Sequence, residues 1–165
     1  PPPLAGLAPT LGLATNLIVL MPRKLSEVLA NPESTQLIEG IVSALRDRSG
    51  RGMQLIFMNC EMHETPGGMT VSDHTFTLSK PILGSPKTTT IDLDAPLLSL
   101  LNRLGRQLMV EVKDDRVTLD VVIPRQGAWE AFVDQKQPRL EGGDDFFKTK
   151  HKVYIETYPL LASIP

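Results

Sequence analysis

The chain has 165 residues, 41% of them hydrophobic and 22% charged, which is the make-up of one ordinary globular domain with enough apolar material for a core. Lys and Arg number 17 against 19 Asp and Glu, so a formal net charge of −2 offers no global field to nucleic-acid phosphate or an anionic membrane, and any such binding requires a local basic patch. The single cysteine, Cys60, excludes an internal disulfide and the multi-cysteine zinc motifs, and no apolar run approaches the ~18 residues of a membrane span. These features predict a reducing compartment, cytoplasmic or nuclear. The opening Pro1-Pro2-Pro3 without methionine is what a trimmed or processed product would show.

Residues 1–15 mix Pro, Gly, Ala and Leu with no helical or strand period and predict an extended arm. Its Leu4, Leu7, Leu11 and Leu13 cover either the chain's own core or a partner. Residues 16–165 are read as a single α+β domain. The apolar run 16–21 (NLIVLM), ended by Pro22, predicts a buried strand. Helices are expected over 23–30 and 34–49, separated by Asn31-Pro32, which breaks the first and starts the second. The second helix has the stripe Leu37, Ile38, Ile41, Val42 and Leu45. Strands over 53–64 and 69–80, joined by the turn 65–68, predict a hairpin.

The stretch 88–125 carries the densest local signals. Residues 88–93 are β-branched at four of six places, Asp94 stands where an N-cap belongs and Pro96 lies in the first turn. Leu97, Leu98, Leu100, Leu101 and Leu104 form a helical stripe, which Gly105 is expected to close. Leu108, Val110 and Val112, then Val117, Leu119, Val121 and Ile123, alternate about the turn 113–116 and predict a second hairpin. A short helix is expected over 129–136, a polar loop over 137–145 and a last strand over 152–157. The predicted fold is a mixed, mostly antiparallel sheet with two main amphipathic helices, built from strand-helix-hairpin units that occur twice with negligible residue identity. Its core is expected to include Leu17, Val19, Ile38, Ile41, Leu45, Leu55, Phe57, Ile91, Leu93, Leu97, Leu101, Leu104, Val110, Val112, Leu119 and Val121, with Trp129 and Phe146-Phe147 either sealing it from outside or forming a partner's docking site.

Chemistry leaves few marks. Cys60 and His63 are three apart on a predicted strand and so point to opposite faces, whereas His74 on the facing strand could approach Cys60 or Glu61. A cluster of Cys60, His74 and Glu64 is the one metal-site alternative this pattern allows, and an enzyme or metalloprotein with a site near Cys60, His63 and His74 the corresponding reading. Gly50-Arg51-Gly52 follows a helix and precedes a strand, the reverse of a dinucleotide fingerprint, and no P-loop, GxSxG, HExxH or EF-hand spacing occurs. No catalytic residue, cofactor or metal ligand is assigned. Basic residues gather at Arg46, Arg48 and Arg51, and at Lys148, Lys150 and Lys152 around His151; without interleaved aromatics, nucleic acid would bind there only through phosphate.

The doubled strand-helix-hairpin order resembles one domain of a sliding clamp, which implies a DNA-associated processivity module as one alternative. Tyr158-Pro159-Leu160-Leu161 and the opening PPPL resemble the short motifs by which viral structural proteins recruit membrane-scission machinery, which implies a matrix-like structural protein. The leading expectation is a non-enzymatic structural or protein-interaction protein that self-associates into a homo-oligomer through the arm or a sheet edge. Its candidate interaction residues are Leu4, Leu7, Leu11, Leu13, Trp129, Tyr158, Pro159 and Leu161.

Overall fold

The computed structural model describes residues 23–79, 82–84 and 87–134. Strand β1 (Arg23–Lys24) leads into a single helical turn, α1 (Leu25–Val28), and then the long helix α2 (Pro32–Arg48). The Asn31 side chain caps α2 by accepting from the Ser34 amide at 2.7 Å, and Pro32, which has no N–H to satisfy, occupies the first turn. A hairpin follows, β2 (Met53–Thr65) and β3 (Gly68–Ser79), with Gly68 at φ 119° in its turn. Strand β4 (Lys87–Thr90) precedes helix α3 (Ala95–Val112), which Asp94 caps by accepting from the Leu97 amide at 3.1 Å. Strands β5 (Arg116–Pro124) and β6 (Glu130–Asp134) complete the described chain.

The six strands form one sheet in the order β1-β6-β5-β2-β3-β4, making an α+β fold. Every pairing among the described strands is antiparallel, so the mixed sheet expected from the sequence has no parallel ladder here. Helices α2 and α3 lie antiparallel to each other. Ser34 at the start of α2 donates to Gln107 Oε1 near the end of α3 at 2.6 Å, and Arg48 at the end of α2 pairs with Asp94 at the start of α3. Ile38, Ile41, Leu45, Leu97, Leu101 and Leu104 are at most 2% exposed and pack onto Ile56, Met58, Cys60 and Met62 of β2 and Val117, Leu119, Val121 and Ile123 of β5. Each such buried aliphatic side chain contributes about 1.5–3 kcal/mol.

The chain order reads β-α-β-β twice, β1-α2-β2-β3 and then β4-α3-β5-β6, if the single turn α1 is set aside. Exchanging the two halves converts the strand order into its own reverse, so the sheet carries an internal two-fold between β2 and β5. The caps Asn31 and Asp94 and the buried pairs Ile38/Leu101, Ile41/Leu104 and Leu45/Leu108 are all related by the same spacing of 63 residues (94 minus 31). The repetition expected from element order is therefore present in the register of the core, although the residues differ.

Several elements depart from the sequence reading. Helix α3 does not end at Gly105 but continues to Val112, and the left-handed C-cap is Lys113 at φ 55°, ψ 47°. Leu104, Leu108 and Met109 continue the buried stripe at helical spacing, so the alternation of Leu108, Val110 and Val112 is incidental: Val110 is 78% exposed and Val112 only half-buried. The hairpin placed there is formed instead by β5 and β6, and residues 130–134, expected to be helical, are a strand. The helix expected over 23–30 shrinks to α1 behind a two-residue strand. The strand expected over 88–93 is Lys87–Thr90, with Ile91 buried after it and Leu93 partly buried. The arm 1–15, the strand 16–21 with Leu17 and Val19, the loop 137–145, Phe146-Phe147 and the strand 152–157 lie outside the described residues.

Candidate functional site

The sheet has two faces, and only one of them meets the described helices. Alternation along β2 sends Ile56, Met58, Cys60 and Met62 to the helical side and Leu55, Phe57, Asn59, Glu61 and His63 to the other. On this second face the register lines up rows across the strands. Phe76, Phe57 and Val122 form an apolar row, in which the Phe57 and Phe76 rings are 5.5 Å apart and tilted by 44°. The next row is polar: His74 on β3, Asn59 on β2 and Asp120 on β5. Beyond it come Ser72, Glu61, Thr118 and Asp134.

Most of these polar side chains are buried although they face away from both helices, Glu61 being half-buried and Ser72 exposed. Asn59 is 0% exposed, Asp120 1%, Asp134 3% and His74 8%. Asn59 Nδ2 donates to Asp120 Oδ1 at 2.6 Å, which offsets part of the cost of burying that carboxyl group, while Asn59 Oδ1 accepts no hydrogen bond from the described residues. His74 stacks beside Phe76, with ring centroids 5.1 Å apart. A titratable line of His74, Asp120, Glu61 and Asp134 thus crosses the middle of the sheet next to an apolar patch.

This register separates the residues considered for a metal. His74 pairs with Asn59 and Cys60 with Asp73, so His74 and Cys60 occupy opposite faces, and the expected approach of His74 to Cys60 does not occur. Glu61 does share the His74 face, one row away. Glu64, by alternation on the Cys60 side, lies 3.8 Å from Arg106 through its Oε2, and His63 lies on the opposite face with Nε2 3.8 Å from Asp115 Oδ2. Among the described residues no three His, Cys, Asp or Glu side chains form a group suited to a metal ion. Burial, reinforced by Asp73, Asp120 and Glu61, pushes the Cys60 thiol far up, so it packs as a small apolar group.

The other candidates distribute as follows. Trp129, half-buried against the helical-side core, stands before β6 rather than on a helix. It forms one wall of a cavity of about 550 Å³ bounded also by α1, the start of α2 and Lys24. Leu4, Leu7, Leu11, Leu13, Tyr158, Pro159 and Leu161 lie outside the described residues, as do Lys148, Lys150, His151 and Lys152. In the other basic group, Arg46 donates to the carbonyls of Pro124 and Gly127, both at 3.4 Å, and Arg48 is held by Asp94 and by the Ala44 carbonyl at 2.7 Å. On the outer surface of the helices Arg103 lies 3.5 Å from Glu33, and Glu39, Asp47 and Glu111 are exposed, so the positive charge there is balanced. No helix among the described residues is long and apolar enough to cross a membrane.

The sheet ends in β4, whose four residues are all exposed. The Ile91 amide donates to the Thr75 carbonyl at 2.9 Å, and the Thr89 carbonyl accepts from Thr77 Oγ1, so alternation turns the Thr88 and Thr90 backbone groups away from β3. No described strand pairs with that outer edge. Ile82 and Leu83, between β3 and β4 in the chain, are 104% and 90% exposed. Neither the buried polar row nor this edge was identified from sequence, because both are products of strand register. No known family model matches the chain, and no curated protein is similar to it in sequence.

Proposed function

We propose that this chain is a non-enzymatic protein-interaction module that self-associates by adding the β4 edge of one copy to the β4 edge of another. The observation that carries this reading is the outer edge of β4, exposed along its length, with Thr88 and Thr90 presenting backbone donors and acceptors, and Ile82 and Leu83, exposed, shortly before it in the chain. Two such edges related by a two-fold axis would pair antiparallel, extend the sheet and close the assembly at two copies. Threonine suits an edge of this kind, since its branched side chain favours extended backbone, while Lys87 at the strand's start discourages longer, unregistered pairing. The clamp-like alternative draws support from the doubled β-α-β-β order, but the helical surface that would meet phosphate carries Glu33, Glu39, Asp47 and Glu111 among its arginines.

Light scattering on the full chain across a range of concentrations tests the reading. The chain is expected to show twice the monomer mass. Thr88→Pro, which removes only an outward-facing N–H, and the pair Ile82→Asp with Leu83→Asp are each expected to return it to monomer at unchanged melting temperature. A wild-type chain that stays monomeric at high concentration, or variants that keep the dimer mass, would refute edge pairing. Fluorescence anisotropy with duplex DNA at low salt addresses the clamp-like alternative, and saturable binding would favour it.

A further inference from the structure

We infer that two copies meet in a single register, with Thr89 on the two-fold axis facing Thr89 of the partner subunit and Thr88 of each strand paired with Thr90 of the other; this inference rests on the β4 pairing proposed above. The hydrogen bonds of β4 decide which of its residues can pair outward. The carbonyls of Lys87 and Thr89 accept from Ser79 Oγ and Thr77 Oγ1, both at 3.4 Å, and the Ile91 amide donates to the Thr75 carbonyl at 2.9 Å. Residues 87, 89 and 91 therefore turn their backbone groups toward β3, and Thr88 and Thr90 turn theirs to the open edge. In an antiparallel ladder a residue that bonds across the gap must face one that does the same, so Thr88 and Thr90 can oppose only Thr88 or Thr90 of the second strand.

Two-fold symmetry leaves few arrangements. If Thr88 faces its own counterpart on the axis, or Thr90 faces its own, the two β4 strands exchange only one pair of hydrogen bonds. Extending the first is blocked because residue 86 is a proline, without an N–H, and extending the second because β4 ends at Thr90. With Thr88 facing Thr90 and Thr90 facing Thr88, the strands exchange two pairs, and the axis falls on Thr89. A residue pair that exchanges no hydrogen bonds is the closer kind, with Cα atoms about 4.5 Å apart, so the two Thr89 residues approach to that distance. They do so on the helical side of the sheet, because Ile91, two residues on, belongs to the core beneath the helices. On the opposite side the exposed Thr88 and Thr90 side chains form two symmetric cross-strand threonine pairs, which favour the register. Thr88 and its own counterpart then stand diagonally, roughly 8 Å apart, and so do the two Thr90 residues.

Disulfide trapping in the full chain tests this, with light scattering of the wild type alongside. Thr88→Cys, Thr89→Cys and Thr90→Cys are oxidised mildly and the covalent dimer is measured. A disulfide needs Cα atoms about 4.4–6.8 Å apart, which only residue 89 offers to its own counterpart. The chain's one native cysteine, Cys60, is 0% exposed and does not compete. Thr89→Cys is expected to give at least about tenfold more covalent dimer than either neighbour, and to lose that excess when combined with Thr88→Pro. A dimer mass with trapping strongest at residue 88 or 90 would keep the β4 pairing and overturn the register. An excess at residue 89 that survives Thr88→Pro would overturn the register as well, since the trapping would then be collisional. A wild-type chain that is monomeric, or a dimer that none of the three cysteines traps, would instead refute the β4 pairing on which the register rests.

Discussion

Gly105 lies in the middle of α3, where alanine would ordinarily be stabilising by about 1 kcal/mol through helix propensity alone. The structure predicts the opposite sign. A Cβ at this position would stand 2.5 Å from Met62 Sδ, 3.4 Å from Met69 Sδ and 3.5 Å from Met62 Cε. Ordinary contacts between such atoms are about 3.5–4.0 Å, so the Met62 thioether must retreat by roughly 1 Å. Met62 is fully buried, with Met69 closing the space on one side, and overpacking of this kind costs about 1–3 kcal/mol. Gly105→Ala is therefore expected to lose about 1 kcal/mol net. Urea unfolding of the full chain, followed by the fluorescence of its one tryptophan, Trp129, reads this directly. Because Met62→Ala opens the space, the two substitutions together should lose about 1–2 kcal/mol less than their separate effects combined. Stabilisation by Gly105→Ala, with additive effects in the pair, would refute the close helix-sheet approach at this glycine.

Other perturbations follow from the same geometry. Burial raises the Asp73 carboxyl above its ordinary value, with Asp92 adding to the rise, so its charge costs stability above that raised value and the cost disappears as pH falls below the ordinary carboxylate range near ~4. Asp73→Asn is expected to melt higher at pH 7, with the gap closing in acid; an equal gap at both pH values would contradict this. The Arg48 guanidinium, then the Leu97 amide, hold the Asp94 carboxyl below its usual range, so its stabilisation is complete above ~4 and is lost as pH falls through the depressed value. Asp94→Asn keeps the cap but not the charge and should melt lower than wild type at pH 7 and match it in strong acid. Asn59→Leu removes the donor to buried Asp120 and is expected to cost about 2–3 kcal/mol in urea unfolding, and a loss below 1 kcal/mol would mean that the hydrogen bond matters little. Trp129→Ala, at a half-buried position, should lower the melting temperature while leaving the oligomer mass unchanged; the reverse result would make Trp129 a docking residue.

Local chemistry was legible wherever one residue decides the backbone. Asn31-Pro32 and Asp94 with Pro96 start their helices because a side-chain acceptor and a missing N–H both serve the first turn, and the β2–β3 hairpin was legible from its Gly67-Gly68 turn. Gly105 misled because glycine serves two purposes. It can end a helix through positive φ or let a helix approach a sheet, and only the position of Met62 on strand β2 distinguishes them. Val110 shows the complementary difficulty: over five residues an alternation of apolar side chains fits a strand as well as it fits successive turns of a helix, until the longer stripe from Leu97 to Met109 is counted.

The polar row and the β4 edge were hidden for a deeper reason. Asn59 and Asp120 are 61 residues apart and become neighbours through the antiparallel register of β2 and β5. A slip of one residue would turn either side chain to the helical core. That register is fixed on the opposite face, by Met58 meeting Val121 and Cys60 meeting Leu119 under the two helices. The apolar pattern that sequence does display thus determines, through the pleat, where the polar row must lie. The same two-fold arrangement that centres the row between the halves leaves β1 and β4 at the two ends of the sheet, and of these only β4 has four exposed residues in extended form. Pairing at that open edge, as proposed, would leave the helical face and the β2–β5 register untouched, so Thr88→Pro should abolish the dimer mass at unchanged melting temperature.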